Sequence, residues 1–220
     1  FIASNSRFAI VVFRGSEIWN QNEHFDPRQM IADFITDIDI RLSDWIPGGK
    51  VHTGFLTALN SVWDDMLPEI KHLQSQGVLI WVTGHSLGAA LATLAADRLL
   101  NVQGLYTFGS PRVGNQQFRD RFSVRAYRVV NGRDIVADVP PKGPYRHVGE
   151  HVWIDQKGDI HLGPGASAQS LGDLGPQLQL LLRIVLSQRL RIGIGADEVH
   201  TVDALFAHVL HGVAATTTDA

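Results

Sequence analysis

Short apolar runs alternate along the chain with longer stretches of helical character, which is the pattern of an α/β domain. Two runs are almost continuously apolar, as expected of strands buried on both faces of a sheet: Phe8–Phe13 (FAIVVF) and Val78–Val82 (VLIWV). Further strands are predicted at Leu105–Phe108, Ala126–Val130 and Val152–Asp155, and helices at Gly54–Ser75, Leu87–Leu100 and Asn115–Phe122. The pattern therefore predicts a mostly parallel central sheet flanked by helices.

Two segments interrupt this alternation. Glu17–Arg28 is polar with interspersed aromatic residues, and it follows directly on the first apolar run. Gly163–Pro176 contains four Gly and two Pro among small residues, so it is predicted to be a flexible loop. A length of 220 residues is within the range of one domain, and we predict a single domain over residues 1–220.

The composition excludes several kinds of protein. The net charge of −3 argues against nucleic acid as a partner, because phosphate binding needs a basic surface. The absence of Cys excludes disulfides, thiolate zinc sites and a thiol nucleophile. Phe1–Phe13 does not have the pattern of a secretory signal, which leaves the compartment open and is compatible with secretion after processing. Gly77–Ala96 carries no charge but holds a polar, Gly-containing centre, so we interpret it as strand, turn and helix in a soluble protein without a transmembrane segment.

The chemistry is indicated by the pentapeptide Gly84–Gly88 (GHSLG), a G-x-S-x-G motif. An apolar strand-like run precedes it and a helix rich in Ala and Leu follows, as the motif requires. In such a turn the serine takes a strained backbone conformation, and the two glycines leave room where side chains would collide. The helix N-terminus then presents backbone N–H groups to a developing oxyanion. Ser86 is therefore the predicted nucleophile.

A serine nucleophile needs a histidine base, and the base needs an orienting acid, in the chain order Ser, Asp or Glu, His. Asp134 follows the predicted strand Ala126–Val130 within a short loop, at the sheet edge where active-site loops gather. Asp138 is the competing candidate, although its position beside Val139-Pro140-Pro141 suits a turn.

Several motifs together resemble the class 3, fungal-type triacylglycerol lipase family of the α/β-hydrolase superfamily. They lie in the family's order over residues 8–155: Val11–Ser16 (VVFRGS), Val51–Phe55 (VHTGF), Val82–Gly88 (VTGHSLG), Phe108–Gly114 (FGSPRVG) and Val130–Pro141. The resemblance implies an α/β-hydrolase fold with a lid segment, and it places the catalytic aspartate on Asp134. It further implies that the Leu87 N–H and Ser16, through its N–H and hydroxyl, form the oxyanion hole. The lid of the family corresponds to residues 17–31 here, in a longer and more polar stretch.

The position of the catalytic histidine is the least determined part of this resemblance. His208 fits the family's pattern best, but the aromatic residue expected shortly after it is missing, and His211 and His200 remain alternatives. A separate pattern, His147–His151 (HVGEH), matches the H-x-x-E-H zinc motif, yet its surroundings favour a strand, on which the two histidines are too far apart to share a metal ion. We therefore expect no metal site and no cofactor.

The resemblance implies a serine carboxylic-ester hydrolase, a triacylglycerol lipase that acts through a Ser86–His208–Asp134 triad and an acyl-enzyme. The expected partner is an ester or acylglycerol substrate, met at a lipid–water interface. One alternative is a short-chain or feruloyl-type esterase, because the same scaffold supports those activities. Another is a catalytically silent, hydrolase-like binding module, which the irregular C-terminal histidine region leaves open.

Overall fold

Nine strands and three α-helices are seen in the computed structural model, which describes residues 1–15, 41–46, 48–131, 134–154 and 160–163. The strands are β1 (Ile2–Ser4), β2 (Phe8–Phe13), β3 (Leu42–Asp44), β4 (Lys50–His52), β5 (Leu79–His85), β6 (Val102–Phe108), β7 (Ala126–Asn131), β8 (Glu150–Ile154) and β9 (Ile160–Leu162). The helices are α1 (Thr53–Ser75), α2 (Leu87–Arg98) and α3 (Gln116–Arg121), and a 3₁₀ turn covers Ile135–Asp138. All these elements belong to one unit, Phe1–Gly163. The unit Pro164–Ala220 lies outside the described residues, so the single-domain interpretation stays a prediction.

Seven strands form the main sheet in the order β1-β2-β5-β6-β7-β8-β9. The five inner strands run parallel, and β1 and β9 close the two edges antiparallel to their neighbours. β3 and β4 pair separately as a small antiparallel ribbon. Because β2, β5, β6, β7 and β8 are parallel, their carboxyl ends share one edge of the sheet, which is where ligands bind in open α/β sheets. Phe13 pairs with Gly84 and His85 pairs with Phe108 at that edge.

Two helices have clear sequence reasons for their position. α2 is buried continuously from Gly88 to Ala96, because its small side chains allow the helix backbone to lie close against the sheet. α1 begins after His52, whose buried Nδ1 accepts hydrogen bonds from the N–H groups of Gly54 and Phe55. His52 thus caps a helix and stacks on Phe55, so its role is structural.

A buried polar network connects α2 to its surroundings. Asp97, whose side chain is 3% exposed, accepts two hydrogen bonds from Arg121 at 2.7 and 3.1 Å and one from the Trp45 indole at 2.6 Å. The guanidinium of Arg98 lies between the rings of Trp45 and Trp63, at 4.8 and 4.6 Å from their centroids. These contacts attach the segment before β4 to the helix that follows the nucleophile motif.

The predicted strands and helices are all present; Phe8–Phe13 has the predicted bounds, and the others differ at one or both ends. The strand predicted at Val78–Val82 corresponds to β5, which begins at Leu79 and continues to His85, so the charge-free stretch Gly77–Ala96 is strand, turn and helix as predicted. Within the part of the chain that the structure describes, no helix is both long enough and apolar enough to cross a bilayer. The three-residue strands β1, β3, β4 and β9 were not predicted, since they are too short to show a periodic pattern.

Candidate active site

Ser86 occupies a sharp turn between β5 and α2. Its φ of 53° and ψ of −123° are strained for a residue with a side chain. The Ser86 N–H donates to the Phe108 carbonyl at 3.0 Å, and the Ser86 carbonyl accepts from Ala89 at 3.0 Å, so backbone hydrogen bonds hold the turn on both sides. This strand–turn–helix arrangement is the one that the G-x-S-x-G motif predicts, and it places Ser86 at the carboxyl edge of the sheet.

Three glycines make the turn sterically feasible. A Cβ on Gly84 would collide with the Gly88 backbone, and a Cβ on Gly88 would collide with the Phe13 carbonyl, in both cases closer than 3.0 Å. At Gly15 a Cβ would lie 2.9 Å from the His85 carbonyl and 3.6 Å from the Ser86 Cβ. The end of β2 therefore packs directly against the serine turn, and it does so only because all three positions lack side chains.

The backbone at the start of α2 can stabilise a developing negative charge. Leu87 is the first residue of the helix, and its N–H is among those that a helix leaves without an intrahelical acceptor. The positive end of the helix dipole adds to the local field. Gly15 brings the end of β2 beside the same turn, and Ser16, the predicted second donor, is the next residue but lies outside the described residues.

Asp134 lies at the same edge, just after β7. Its Oδ1 accepts a hydrogen bond from the Val136 N–H at 3.0 Å and caps the 3₁₀ turn. Its Oδ2 lies against Gly109, only 2.5 Å from the point where a Cβ on that glycine would stand. The same point is 3.5 Å from Nε2 of His85, the residue before the serine. The structure thus brings the Asp134 carboxylate and the ring of His85, which precedes Ser86, to the same side of Gly109, whose φ is +55°.

Asp138, the competing acid, has a different environment. Its side chain is 83% exposed and pairs with Arg112 at 3.4 Å. Arg112 also donates to the carbonyls of Asp138 and Pro140, so this aspartate is engaged in holding the loop. Of the two candidates, only Asp134 directs a carboxylate oxygen toward the residues around Ser86.

The remaining sequence predictions have mixed outcomes. The catalytic histidine candidates His200, His208 and His211, the lid at 17–31 and the loop after Gly163 all lie outside the described residues and stay predictions. In the HVGEH pattern, Glu150 and His151 lie on β8 and not on the helix that a zinc motif needs. Among the residues that the structure describes, no group of three or more His, Asp or Glu side chains could hold a metal ion.

Two contributors to the site were missed by the sequence reasoning. Gly109 lies beside the Asp134 carboxylate, and the ring of His85, the residue before the nucleophile, lies beside the same glycine. The available signal for Gly109 was its place in FGSPRVG, directly after a predicted strand, where a glycine often marks a positive φ or a close approach.

The parallel sheet, the strained serine between β5 and α2, and the carboxylate after β7 define an α/β-hydrolase fold. The comparisons with known proteins identify the branch of that fold. The sequence model described as Lipase (class 3) matches residues 10–143, and the chain belongs to this family.

Several of the similar proteins are fungal lipases. A secreted mono- and diacylglycerol lipase 1 of Fusarium solani is 38% identical over 141 residues, covering 57% of this chain and 41% of that protein. A lipase of Rhizopus niveus is 37% identical over 136 residues, covering 54% of this chain and 35% of that protein. The crystal structure of a lipase from Rhizopus microsporus var. chinensis is similar with a TM-score of 0.60 at 32% identity, over 78% of this chain and 64% of that one. The chain thus spans less than half the length of these two curated relatives.

Proposed function

We propose that this protein is a serine hydrolase that cleaves carboxylic esters of acylglycerols, with Ser86 as the nucleophile. The observation that supports this most directly is the strained Ser86 at the β5–α2 turn, with the Asp134 carboxylate and the ring of the preceding His85 both lying against Gly109. A non-glycine residue with a positive φ is costly, and such strain is concentrated at functional sites.

In the proposed reaction the Ser86 hydroxyl attacks the ester carbonyl carbon while a histidine takes its proton. The resulting tetrahedral oxyanion accepts hydrogen bonds from the Leu87 N–H and from Ser16, each worth roughly 3 kcal/mol of transition-state stabilisation. The histidine, assigned to His208 with His211 and His200 as alternatives, then protonates the departing alcohol. Asp134 holds the imidazole in the required tautomer. Water attacks the acyl-enzyme by the same steps, which releases the fatty acid and restores Ser86.

The substrate class is proposed from the family and its named members. The Fusarium solani protein is named as acting on mono- and diacylglycerols, and both it and a Malassezia globosa relative are named as secreted. We propose an acylglycerol substrate met at a lipid–water interface, a lid formed by residues 17–31, and secretion of the protein.

Initial rates on p-nitrophenyl esters from acetate to palmitate, with Ser86→Ala in parallel, test this proposal. Loss of the nucleophile should lower kcat by at least about 10³-fold. Ser61→Ala is the matched control, because Ser61 is exposed on α1 and its hydroxyl donates to the Ala58 carbonyl of the same helix. Labelling by a fluorophosphonate, mapped by mass spectrometry, should modify the wild type at Ser86.

The chain-length profile separates the alternatives. A maximum at medium or long acyl chains supports a lipase and leads to assays on emulsified triacylglycerol. A maximum at acetate or butyrate would replace the lipase by a short-chain esterase. Turnover no faster than that of Ser86→Ala, together with no labelling, would contradict the enzymatic proposal and favour a silent binding module.

Paired substitutions test the other roles. Asp134→Asn should lower kcat by a similar order to Ser86→Ala, whereas Asp138→Asn should leave kcat within about threefold, because triad members act as a unit. Alanine at His208 should remove activity and alanine at His211 or His200 should not. If His208→Ala retains activity and one of the others loses it, the base is reassigned and the rest of the proposal stands.

A further inference from the structure

The loop that carries Asp134 is held at its far end by a single residue, Arg112. After Asp134 the chain makes the 3₁₀ turn and continues to Pro140. The Arg112 guanidinium donates to the Asp138 carbonyl and, at 2.8 Å, to the Pro140 carbonyl. The Arg112 backbone N–H donates to the Val139 carbonyl at 2.7 Å. Arg112 thus binds three successive carbonyl groups of this loop.

Hydrogen bonds within the turn connect its far end to Asp134. The Val139 N–H donates to the Val136 carbonyl at 3.3 Å, and the Ala137 N–H donates to the Asp134 carbonyl at 3.2 Å. The Val136 N–H donates to Asp134 Oδ1 at 3.0 Å. Val136 and Ala137 are also buried. A shift of the carbonyl groups that Arg112 binds would therefore move the backbone and the carboxylate of Asp134.

Arg112 belongs to a segment that is itself fixed in the fold, between β6 and α3. The first residue of that segment, Gly109, donates its N–H to the Val129 carbonyl of β7 at 2.9 Å. The residue after Arg112, Val113, is buried, and its carbonyl accepts a hydrogen bond from the end of β4 at 2.9 Å. The Asp134 carboxylate lies against Gly109. One fixed segment therefore contacts the Asp134 loop at both of its ends.

The carbonyl contacts of Arg112 matter more for this loop than its ion pair. The Asp138 carboxylate is 83% exposed and lies 3.4 Å from Arg112, and exposed pairs of this kind contribute little. The Arg112 side chain is only 11% exposed, and its Nη1 atom makes both carbonyl contacts. A lysine ammonium would end one covalent bond short of Nη1, so charge alone cannot replace the guanidinium.

We propose that Arg112 is a positioning residue for the reaction, which holds the loop so that the Asp134 carboxylate stays in place for the histidine base. This proposal rests on the proposed function, because it takes Asp134 as the acid of the triad. His147 Nε2 donates to the Ala137 carbonyl at 2.8 Å and holds the middle of the turn independently. Loss of the Arg112 side chain therefore releases the far end of the loop without removing the turn. A displacement of about 1 Å in a catalytic group can lower the rate about 10²-fold.

Steady-state kinetics of Arg112→Gln, on the p-nitrophenyl ester that the wild type cleaves fastest, test the proposal. Arg119→Gln is the matched control, because it removes the same charge from an exposed arginine on the neighbouring α3. Arg112→Gln should lower kcat about 10²-fold and leave KM within about threefold, because Asp134 acts in the chemical step and not in binding the ester. Arg119→Gln should leave both constants within about twofold of the wild type.

A second variant, Arg112→Lys, keeps the positive charge and decides the question if Arg112→Gln does not fold, as seen by circular dichroism. Its ammonium group does not reach the position of Nη1, so kcat should still fall by about tenfold or more. Asp138→Asn removes the ion pair and keeps the carbonyl contacts, and it should leave kcat within about threefold. Full activity of Arg112→Lys, or a loss in Asp138→Asn as large as in Arg112→Gln, overturns the proposal, because the charge and not the carbonyl contacts then matters.

A double-mutant cycle separates positioning of the carboxylate from general damage to the fold. On an Asp134→Asn background, Arg112→Gln should change the residual kcat by less than about threefold, because Arg112 acts only through the Asp134 carboxylate. An equal loss on both backgrounds shows a purely structural role and overturns the proposal.

The same assays distinguish failure of this proposal from failure of the proposed function. If Ser86→Ala and Asp134→Asn remove activity while Arg112→Gln keeps kcat within about threefold of the wild type, Arg112 is not a positioning residue and the hydrolase proposal stands. If Asp134→Asn itself keeps full activity, the acid of the triad is wrongly assigned, and the role of Arg112 is refuted with it.

Discussion

Replacing Gly109 by alanine tests the geometry that places Asp134 in the site. The new Cβ would stand 2.5 Å from Asp134 Oδ2, and ordinary contact begins at 3.4 Å, so the carboxylate must move by about 0.9 Å. Asp134 cannot turn away freely, because Oδ1 holds the Val136 N–H. A displacement of about 1 Å in a catalytic group can lower the rate about 10²-fold. We therefore expect kcat/KM on p-nitrophenyl esters to fall by roughly two orders of magnitude.

The same substitution also strains the backbone, and a second glycine isolates that effect. Gly109 has a φ of +55° and Gly77 a φ of +79°, but a Cβ on Gly77 meets nothing within 4 Å. Alanine at either position should lower the free energy of unfolding by about 1 kcal/mol through strain alone, measured by urea denaturation. Only Gly109→Ala should lose activity. If it retains kcat/KM within threefold of the wild type, or if Gly77→Ala loses as much activity, the Asp134 carboxylate is not positioned through Gly109.

Three further predictions follow from packing and charge. Asp97→Ala should lower the free energy of unfolding by about 3 kcal/mol, because Arg121 loses its buried partner, whereas Asp44→Ala at an exposed pair should lower it by less than about 0.5 kcal/mol in the same urea titration. Gly88→Ala should lower the free energy of unfolding by about 3 kcal/mol and abolish activity, because the new Cβ would collide with the backbone at the end of β2. A variant that is folded by circular dichroism and active in the ester assay would refute this. Burial lowers the pKa of His147 to about 3 in the folded protein, whereas the unfolded chain has the ordinary value of about 6.5. As the pH drops below 6.5, the unfolded chain therefore takes up a proton that the folded protein does not, and the free energy of unfolding falls. His147→Gln should remove about 2 kcal/mol of that loss at pH 5, seen as a flatter dependence of unfolding free energy on pH.

The strands and helices near the site were largely predictable from local pattern. Phe8–Phe13 and the helix from Leu87 onward matched because a continuous apolar run and a helix of small residues can be recognised with little context. β6 was underestimated, beginning at Val102 and not at Leu105, because Gly104 breaks the apolar run. In the structure that glycine lies beside the Trp81 ring of the neighbouring strand, and a sequence scan cannot see such a cross-strand contact.

The choice between Asp134 and Asp138 could not be made from local sequence spacing alone. Both follow β7 within a few residues, and local spacing left both open. The structure separates them by partner, since Asp138 pairs with Arg112 at the surface while Asp134 faces Gly109. That difference depends on where the chain turns after β7, which no residue in the loop encodes alone.

The sequence by itself determined the α/β class, the strand–turn–helix around Ser86 and the resemblance to class 3 lipases, because each depends on residues close together in the chain. Only the tertiary structure decided that Asp134 and not Asp138 lies beside the residue before Ser86, and that Gly15 and Gly109 pack closely around these residues. The physical reason is that parallel strand order and register bring distant loops together, and these depend on the packing of the whole sheet.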